Sequence, residues 1–280
     1  MQAVNVLCIK WGKKYGPEYV NKLHSMVSRH LHRPFRFVCL TDDGAGIDPA
    51  IEVKPIPMVG FDEFDQRKPW TFGHGWLKLT SFASPLYDLQ GRTLFLDLDI
   101  VILDSLDPFF EQPGEFTVIK EWDKSDGTGN TSCYVYTIGA HADALEHLKN
   151  DYPASISTVR NEQEFITLYL ARQGKLSYWP DTWCRSFKRH CLRGGIMGWF
   201  LPPTIPEGAR IIAFHGKPNP PDAIAGISGS AVALAGSVRV SEDHYDHARL
   251  KFEYWPDIVH RPQLKMTPAS NGVNLKLVSD

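Results

Sequence analysis

Thr93-Leu94-Phe95-Leu96-Asp97-Leu98-Asp99-Ile100-Val101-Ile102-Leu103 sets two carboxylates two residues apart inside a run that is otherwise hydrocarbon. A buried strand has no ordinary use for them, because an unpaired buried carboxylate neutralises or acquires a partner. At spacing i, i+2 both side chains leave the same face of an extended strand. Two hard oxygen ligands then converge on one divalent cation, or one binds it while the other holds a second group. The pair reads first as a metal site. The plainer reading is a strand end whose carboxylates meet solvent or a helix N-terminus, and the apolar run beyond Asp99 speaks against it.

Working outward, Val4 to Ile9 is a short apolar strand that leads into Lys10-Trp11-Gly12, and Pro17 is placed like a first-turn helix proline. Val20, Leu23, Val27 and Leu31 repeat at helical spacing, Pro34 ends that helix, and Phe35 to Leu40 reads as a second strand. Strand, glycine-bearing loop, helix, strand opens a nucleotide-binding α/β sheet. Residues 44–75, rich in Gly, Pro, Asp and Lys, read as an extended surface loop, and Trp76, Leu79, Ala83 and Leu86 mark a helix stopping near Gln90-Gly91. Beyond the Asp97/Asp99 strand, Asp107-Pro108-Phe109-Phe110 is a helical turn. Phe116 to Ile119 and Ser132 to Ile138 are strands around a polar loop. Asn161 begins a helix through Phe165, Leu168, Tyr169 and Arg172. Leu176 to Trp179 and Arg210 to Phe214 are later strands. Regularity falls away from Pro218, and Ser228 to Ser237 is rich in small residues. The economical division is one α/β domain over 1–280, with a core at 1–220 and an irregular extension at 221–280.

A chain of 280 residues, 43% hydrophobic and 22% charged, has an ordinary globular balance and buries a substantial core. A formal charge of −2 gives no global reason to expect nucleic acid or an anionic membrane as partner. Met1 to Val6 lacks a basic leader region, and no apolar run approaches the roughly 20 residues of a membrane span. The five cysteines are scattered and odd in number, so they read as small core hydrophobes of a reduced, cytoplasmic protein, at most peripheral to a membrane. Cys184 and Cys191 lack the second pair that a zinc site would need.

His215 follows the strand Ile211 to Phe214 and leads into Gly216-Lys217-Pro218-Asn219. A histidine there adds a nitrogen ligand to a Mn²⁺ already held by carboxylates, and Lys217 sits close enough to pair with a diphosphate. In isolation, a loop histidine and a solvated lysine explain the same residues. Trp179 to His190 mixes aromatics with Arg185, Lys188, Arg189 and His190. Aromatic faces suit sugar rings and the cations suit phosphates, although a basic surface turn over core aromatics reads equally well.

Asp-x-Asp at a strand end, a downstream strand-His-Gly-Lys-Pro and a βαβ start together resemble the nucleotide-sugar transferases of the GT-A fold. They look most like the glycogenin and lipopolysaccharide galactosyltransferase family. The resemblance implies a Rossmann-like, mixed but mostly parallel sheet flanked by helices. It implies a Mn²⁺ (or Mg²⁺) bound by Asp97, Asp99 and His215 that bridges the diphosphate of a nucleotide-sugar donor, UDP-linked by expectation, and transfer with retention. The family's Gly-x-x-Lys-Pro-Trp is shortened here to Gly216-Lys217-Pro218-Asn219 and lacks the Trp. Trp76-Leu77-Lys78-Leu79 is similar to the family's aromatic-x-Arg/Lys-Leu helix, which implies Lys78 at the donor sugar or phosphate. Asn130-Thr131-Ser132 looks like its Asn-x-Gly, which implies Asn130 at the donor sugar. Glu162-Gln163-Glu164 is similar to its Asp-Gln-Asp, which implies Glu162 and Gln163 under the anomeric carbon. Asn161-x-x-Glu164 is also a capping box, so Glu164 reads equally as closing a helix N-terminus. Ile9, Lys10, Trp11 and Asp42 follow the first two strands, where ligands of such sheets bind, and are candidate uridine contacts. Leu98 joins them as the centre of the Asp-x-Asp.

The acceptor (a glycan, a lipid-linked sugar or a protein) has no readable code. Two other readings stay open. One is a sugar-nucleotide-binding protein on a degenerate transferase fold. The other is a phosphohydrolase with Asp97 as nucleophile, against which the usual Gly-Thr or Gly-Val is replaced by Ile100-Val101.

Overall fold

Val4–Lys10 (β1) and Phe35–Thr41 (β2) run in parallel, from Val4 opposite Phe35 to Lys10 opposite Thr41. A parallel pair needs a crossover, which Pro17–His30 (α1) supplies. Pro17 sits in the first turn, where its missing N–H leaves no bond unmade. Val20, Leu23, Met26 and Val27 form the buried stripe of α1. The computed structural model describes residues 3–57, 75–150, 155, 157–192, 203–224, 263–269 and 272–278.

The central sheet adds Glu52–Pro55 (β3) inside the expected surface loop, then Arg92–Leu96 (β4). Ile100–Ile102 (β5) belongs elsewhere, and Phe116–Lys120 (β6), Gly129–Thr137 (β7) and Leu176–Tyr178 (β8) complete seven strands in the order β3-β2-β1-β4-β7-β6-β8. Within this sheet β7 runs against both its neighbours, and the other pairings are parallel. The fold is therefore mixed α/β with a mostly parallel sheet, as expected. The carboxyl ends of β1, β2, β4 and β6 share one edge with the amino end of β7, the edge where such sheets place ligands.

The run from Thr93 to Leu103 is not one strand. β4 stops at Leu96, and β5 pairs antiparallel with Ile211–Ala213 (β10), which pairs parallel with Cys184–Ser186 (β9) in a separate three-stranded sheet. Asp97-Leu98-Asp99 is the junction between two sheets. Continuous hydrocarbon on both sides hides the break, because both sheets are buried.

Trp76 to Phe82 is a 3₁₀ helix rather than an α-helix running to Gln90, and all seven of its residues are buried. Asp107–Glu111 (α2), Ala142–Asn150 (α3) and Glu162–Arg172 (α4) are α-helical. After Pro218 come Pro220–Ile224 (α5) and a hairpin of Gln263–Ala269 (β11) with Gly272–Val278 (β12). The small-residue stretch at 228–237 lies outside the described residues. No helix among them is long and apolar enough to cross a membrane.

One face of the sheet packs α1 and the small sheet against Val6, Cys8, Leu94 and Leu96. The other packs the 3₁₀ helix, α3 and α4 against Leu7, Phe95 and Tyr134, whose rings stack at 4.6 Å between Phe95 and Tyr134. All five cysteines are buried and unbridged, as core hydrophobes would be. The small sheet carries both Asp99 and His215, so its packing governs the junction. Ile212→Ala, deep in β10, should destabilise the protein by about 2–5 kcal/mol in guanidinium unfolding. A change below the error of that measurement would show the small sheet to be an appendage rather than part of the core.

Candidate active site

The junction is held by one backbone hydrogen bond on each side. Asp97 N–H donates to Ser132 C=O at 2.9 Å, extending the central sheet, and Phe214 N–H donates to Asp99 C=O at 3.0 Å, extending the small one. The two carboxylates accordingly take different partners. Lys78 Nζ donates to Asp97 Oδ2 at 2.9 Å and lies 3.7 Å from Glu162 Oε1. Tyr15, in the loop after β1, donates its hydroxyl to Asp99 Oδ2 at 2.6 Å.

Lys78 and Glu162 are withdrawn from water, with side chains 9% and 8% exposed. Burial opposes the Lys78 ammonium, but the charges of Asp97 and Glu162 outweigh it and its pKa is raised. Burial raises the Glu162 carboxyl, with Lys78 opposing. Gly75 has φ +92°, and a Cβ there would stand 2.5 Å from Glu162 Oε1, so only glycine lets Glu162 reach this place. Burial, and then the neighbouring Asp97 charge, pushes the Asp99 carboxyl up to about 6, against the Tyr15 hydroxyl and Lys78.

The register of β6 against β7 shifts between Val118 and Ile119, leaving extra β7 residues at the sheet edge. There Lys78 Nζ also approaches the Thr131 carbonyl and hydroxyl oxygens, both at 3.4 Å. Asn130 Nδ2 donates to Glu121 Oε2 at 3.2 Å, and Gln163 Nε2 reaches the same oxygen at 3.4 Å. Glu121 thus ties together two of the sequence candidates. Glu164 closes α4 as the capping box suggests. Its N–H donates to Asn161 Oδ1 at 3.1 Å, while its carboxylate binds Lys124 and Arg160.

His215 Nε2 lies 2.7 Å from Ser186 Oγ, and its ring stacks on Trp122 at 5.7 Å. Burial, and next the Lys188 charge, lowers its pKa, which favours a neutral, ligating imidazole. Lys188 Nζ donates to His215 C=O at 2.7 Å. Gly216 is left-handed at φ +74°, and its missing Cβ would stand 3.6 Å from that ammonium. Lys217, the lysine singled out in the sequence, is exposed. At the far side, Gly12 N–H donates to Asp42 Oδ2 at 2.9 Å and Lys10 Nζ donates to Asp43 C=O at 3.0 Å, linking the ends of β1 and β2. Ile9 is buried in the core and Trp11 packs against it, and Leu98 is buried too.

Among the described residues no three His, Cys, Asp or Glu side chains converge as a metal cluster. Among the described residues, Asp97 and Asp99 each have one carboxylate oxygen with no hydrogen bond, and His215 Nδ1 has no partner. Hard oxygens of this kind suit a divalent cation, and Ser186 on Nε2 would orient the imidazole for ligation through Nδ1.

No protein-family model and no curated protein matches the chain. Among solved structures, the chain is similar to the galactosyltransferase LgtC in complex with donor and acceptor sugar analogues. The TM-score is 0.50 and the identity 12%, over 77% of this chain and 88% of that one. The likeness at that identity is one of fold. The chain has a GT-A-like, glycosyltransferase-type fold.

Tyr15, Glu121, Trp122, Ser186 and Lys188 complete the site, and only Lys188 had been singled out, within its basic stretch. Glu121 and Trp122 follow β6 at the same edge as Lys10 and Asp42, so the rule that found those two would have found them. For Tyr15 and Ser186 no local signal exists.

Between its ordinary value of 3.8 and about 6, Asp99 holds more protons in the folded than in the unfolded chain. Its contribution to stability therefore falls as pH rises through that window and becomes a penalty above it. In metal-free protein, the urea stability of Asp99→Asn relative to native should rise between pH 4 and pH 6 and then level off. A difference flat across that range would mean that Asp99 ionises normally.

Proposed function

We propose that the chain is a glycosyltransferase that moves a sugar from a nucleotide-diphosphate donor, UDP-linked, with Mn²⁺ (or Mg²⁺) as cofactor and with retention. The observation that carries this reading is the Asp97-Leu98-Asp99 junction, set at the ligand edge of a GT-A-like sheet with an unengaged oxygen on each carboxylate. Asp97, Asp99 and His215 would hold the cation, which supplies Lewis-acid stabilisation of the leaving diphosphate.

The chain's own residues supply the rest. Lys188, anchored on the His215 carbonyl, offers a positive charge for the diphosphate, a role the exposed Lys217 is less well placed to fill. Lys78 sets a positive charge against Asp97 and Glu162 in a largely dry setting. Glu162 supplies a fixed carboxylate for the positive, oxocarbenium-like side of the transition state, and Gln163 is held next to it through Glu121. The ends of β1 and β2, with Lys10, Trp11 and Asp42, offer the uridine site.

A second reading, a sugar-nucleotide-binding protein, draws on the exposed position of Lys217 and the shortened motif around it. It predicts UDP binding without slow donor hydrolysis in the absence of acceptor.

A thermal-shift panel of UDP-, GDP-, CDP- and ADP-sugars with and without Mn²⁺ tests the proposal. Stabilisation should require both UDP and metal, and Asp97→Asn with Asp99→Asn should abolish it together with transfer while leaving the fold intact. Full activity in the double variant would sink the reading. Lys188→Gln should weaken UDP-sugar binding about tenfold or more, the loss of one charge-assisted hydrogen bond, and Lys217→Gln should change it far less. The reverse ranking would return the diphosphate role to Lys217.

A further inference from the structure

A cavity of about 370 Å³ has walls that include Glu121, Trp122, Trp179, Arg185 and His190. It borders the candidate site through shared side chains, because Trp122 stacks on His215 and Glu121 holds Asn130 and Gln163. Its size is toward the lower end for ligand pockets and suits one sugar ring with a substituent.

The two indole N–H groups are already committed to backbone carbonyls, Trp122 to Cys184 at 3.2 Å and Trp179 to Cys133 at 3.1 Å. Trp122, half-buried, therefore offers the cavity apolar surface of the kind on which a pyranose ring packs, while Trp179 is buried against Phe109 and Trp183. The charges are less even. Glu121 is fully engaged, since Oε1 accepts from Trp122 N–H at 2.9 Å and Oε2 from Asn130 and Gln163. Lys124 is tied to Glu164, and Arg189, just outside, to Asp123.

Arg185 is different. It is half-buried, one Nη1 donates to the Asp181 carbonyl at 3.0 Å, and its Nε has no partner. No carboxylate pairs with it among the described residues, and none pairs with Lys120 on the same wall. Ser186 N–H donates to His190 Nδ1 at 3.0 Å, which leaves Nε2 of that ring as a donor. Two carboxylates share the wall with these cations: the exposed Asp181, and Glu121, whose oxygens are occupied by the neutral donors of the Trp122 backbone, Asn130 and Gln163. A guanidinium with most of its donors unused, in a partly dry cavity, favours an anion that can accept them in pairs.

We infer that this cavity receives a sugar bearing an anionic substituent, a phosphate or a carboxylate, recognised by Arg185 and packed against Trp122. That this sugar is the acceptor rests on the transferase reading, but the binding itself does not.

The test is equilibrium binding of D-glucose, glucose 6-phosphate and glucuronate to the full chain, by ligand-observed NMR at two salt concentrations. The native protein should bind one of the charged sugars about tenfold or more tighter than glucose, and the two charged arms separate phosphate from carboxylate. Arg185→Gln should remove that preference and Arg185→Lys should keep part of it, with UDP and Mn²⁺ binding unchanged in both as the check on folding. Equal binding of glucose and both charged sugars would overturn the inference, as would a preference that survives Arg185→Gln. A charged-sugar preference without any UDP binding would instead overturn the transferase reading and leave the anionic site standing.

Discussion

The chain changes sheets within three residues, and nearly everything else at the site follows from that constraint. The Asp97 N–H closes the last bond of the central sheet on Ser132, and the Asp99 carbonyl accepts the first bond of the small sheet from Phe214. Between these two anchors the backbone has little freedom, so two acidic side chains are presented at fixed places at the sheet edge. The same second anchor sets His215 one residue away from a bond to Asp99. A metal or diphosphate site that draws on residues more than a hundred positions apart needs such a clamp, because mobile ligands would forfeit binding energy to ordering.

Around the clamp, charge is handled in two different ways. Lys78 sets one positive charge between the carboxylates of Asp97 and Glu162, and removing it would leave two like charges facing each other in a largely dry place. Asp99 has only a neutral tyrosine hydroxyl as direct partner and an acidic neighbour, so its anion is poorly supported. That contrast suits a cation site: one carboxylate is paired by a lysine of the protein, and the other would be relieved by the ligand. On the far side, Lys188 and the bare Gly216 backbone give the positive, uncrowded surface that a diphosphate would meet.

Much of this was legible in the residues. The βαβ opening, the capping box at Asn161 and Glu164, and the acidic pair all depend on local spacing, which a linear pattern records. Elsewhere the pattern misled for physical reasons. The apolar run through Asp97 and Asp99 looks identical whether it forms one buried strand or two. The stretch from Trp76 has helical spacing, yet it is buried all round, so periodicity could not distinguish a long amphipathic helix from a short 3₁₀ turn. Lys217 and Lys188 illustrate the same limit for function: the motif pointed to the former, and the fold brings the latter to His215.

By itself, the amino-acid sequence determined which residues could do ion and phosphate chemistry, the class of fold that would carry them, and the strand ends on which several would sit. Those properties follow from side-chain type and from periods of two or about four residues. Tertiary structure alone decided partnership: Tyr15 with Asp99, Lys78 with Asp97 and Glu162, Ser186 and Trp122 with His215, and an Arg185 with no carboxylate partner among the described residues on the same cavity wall as Trp122. These are contacts between residues 19 to 93 positions apart. Their energy depends on burial and distance, quantities that exist only once the sheets have packed.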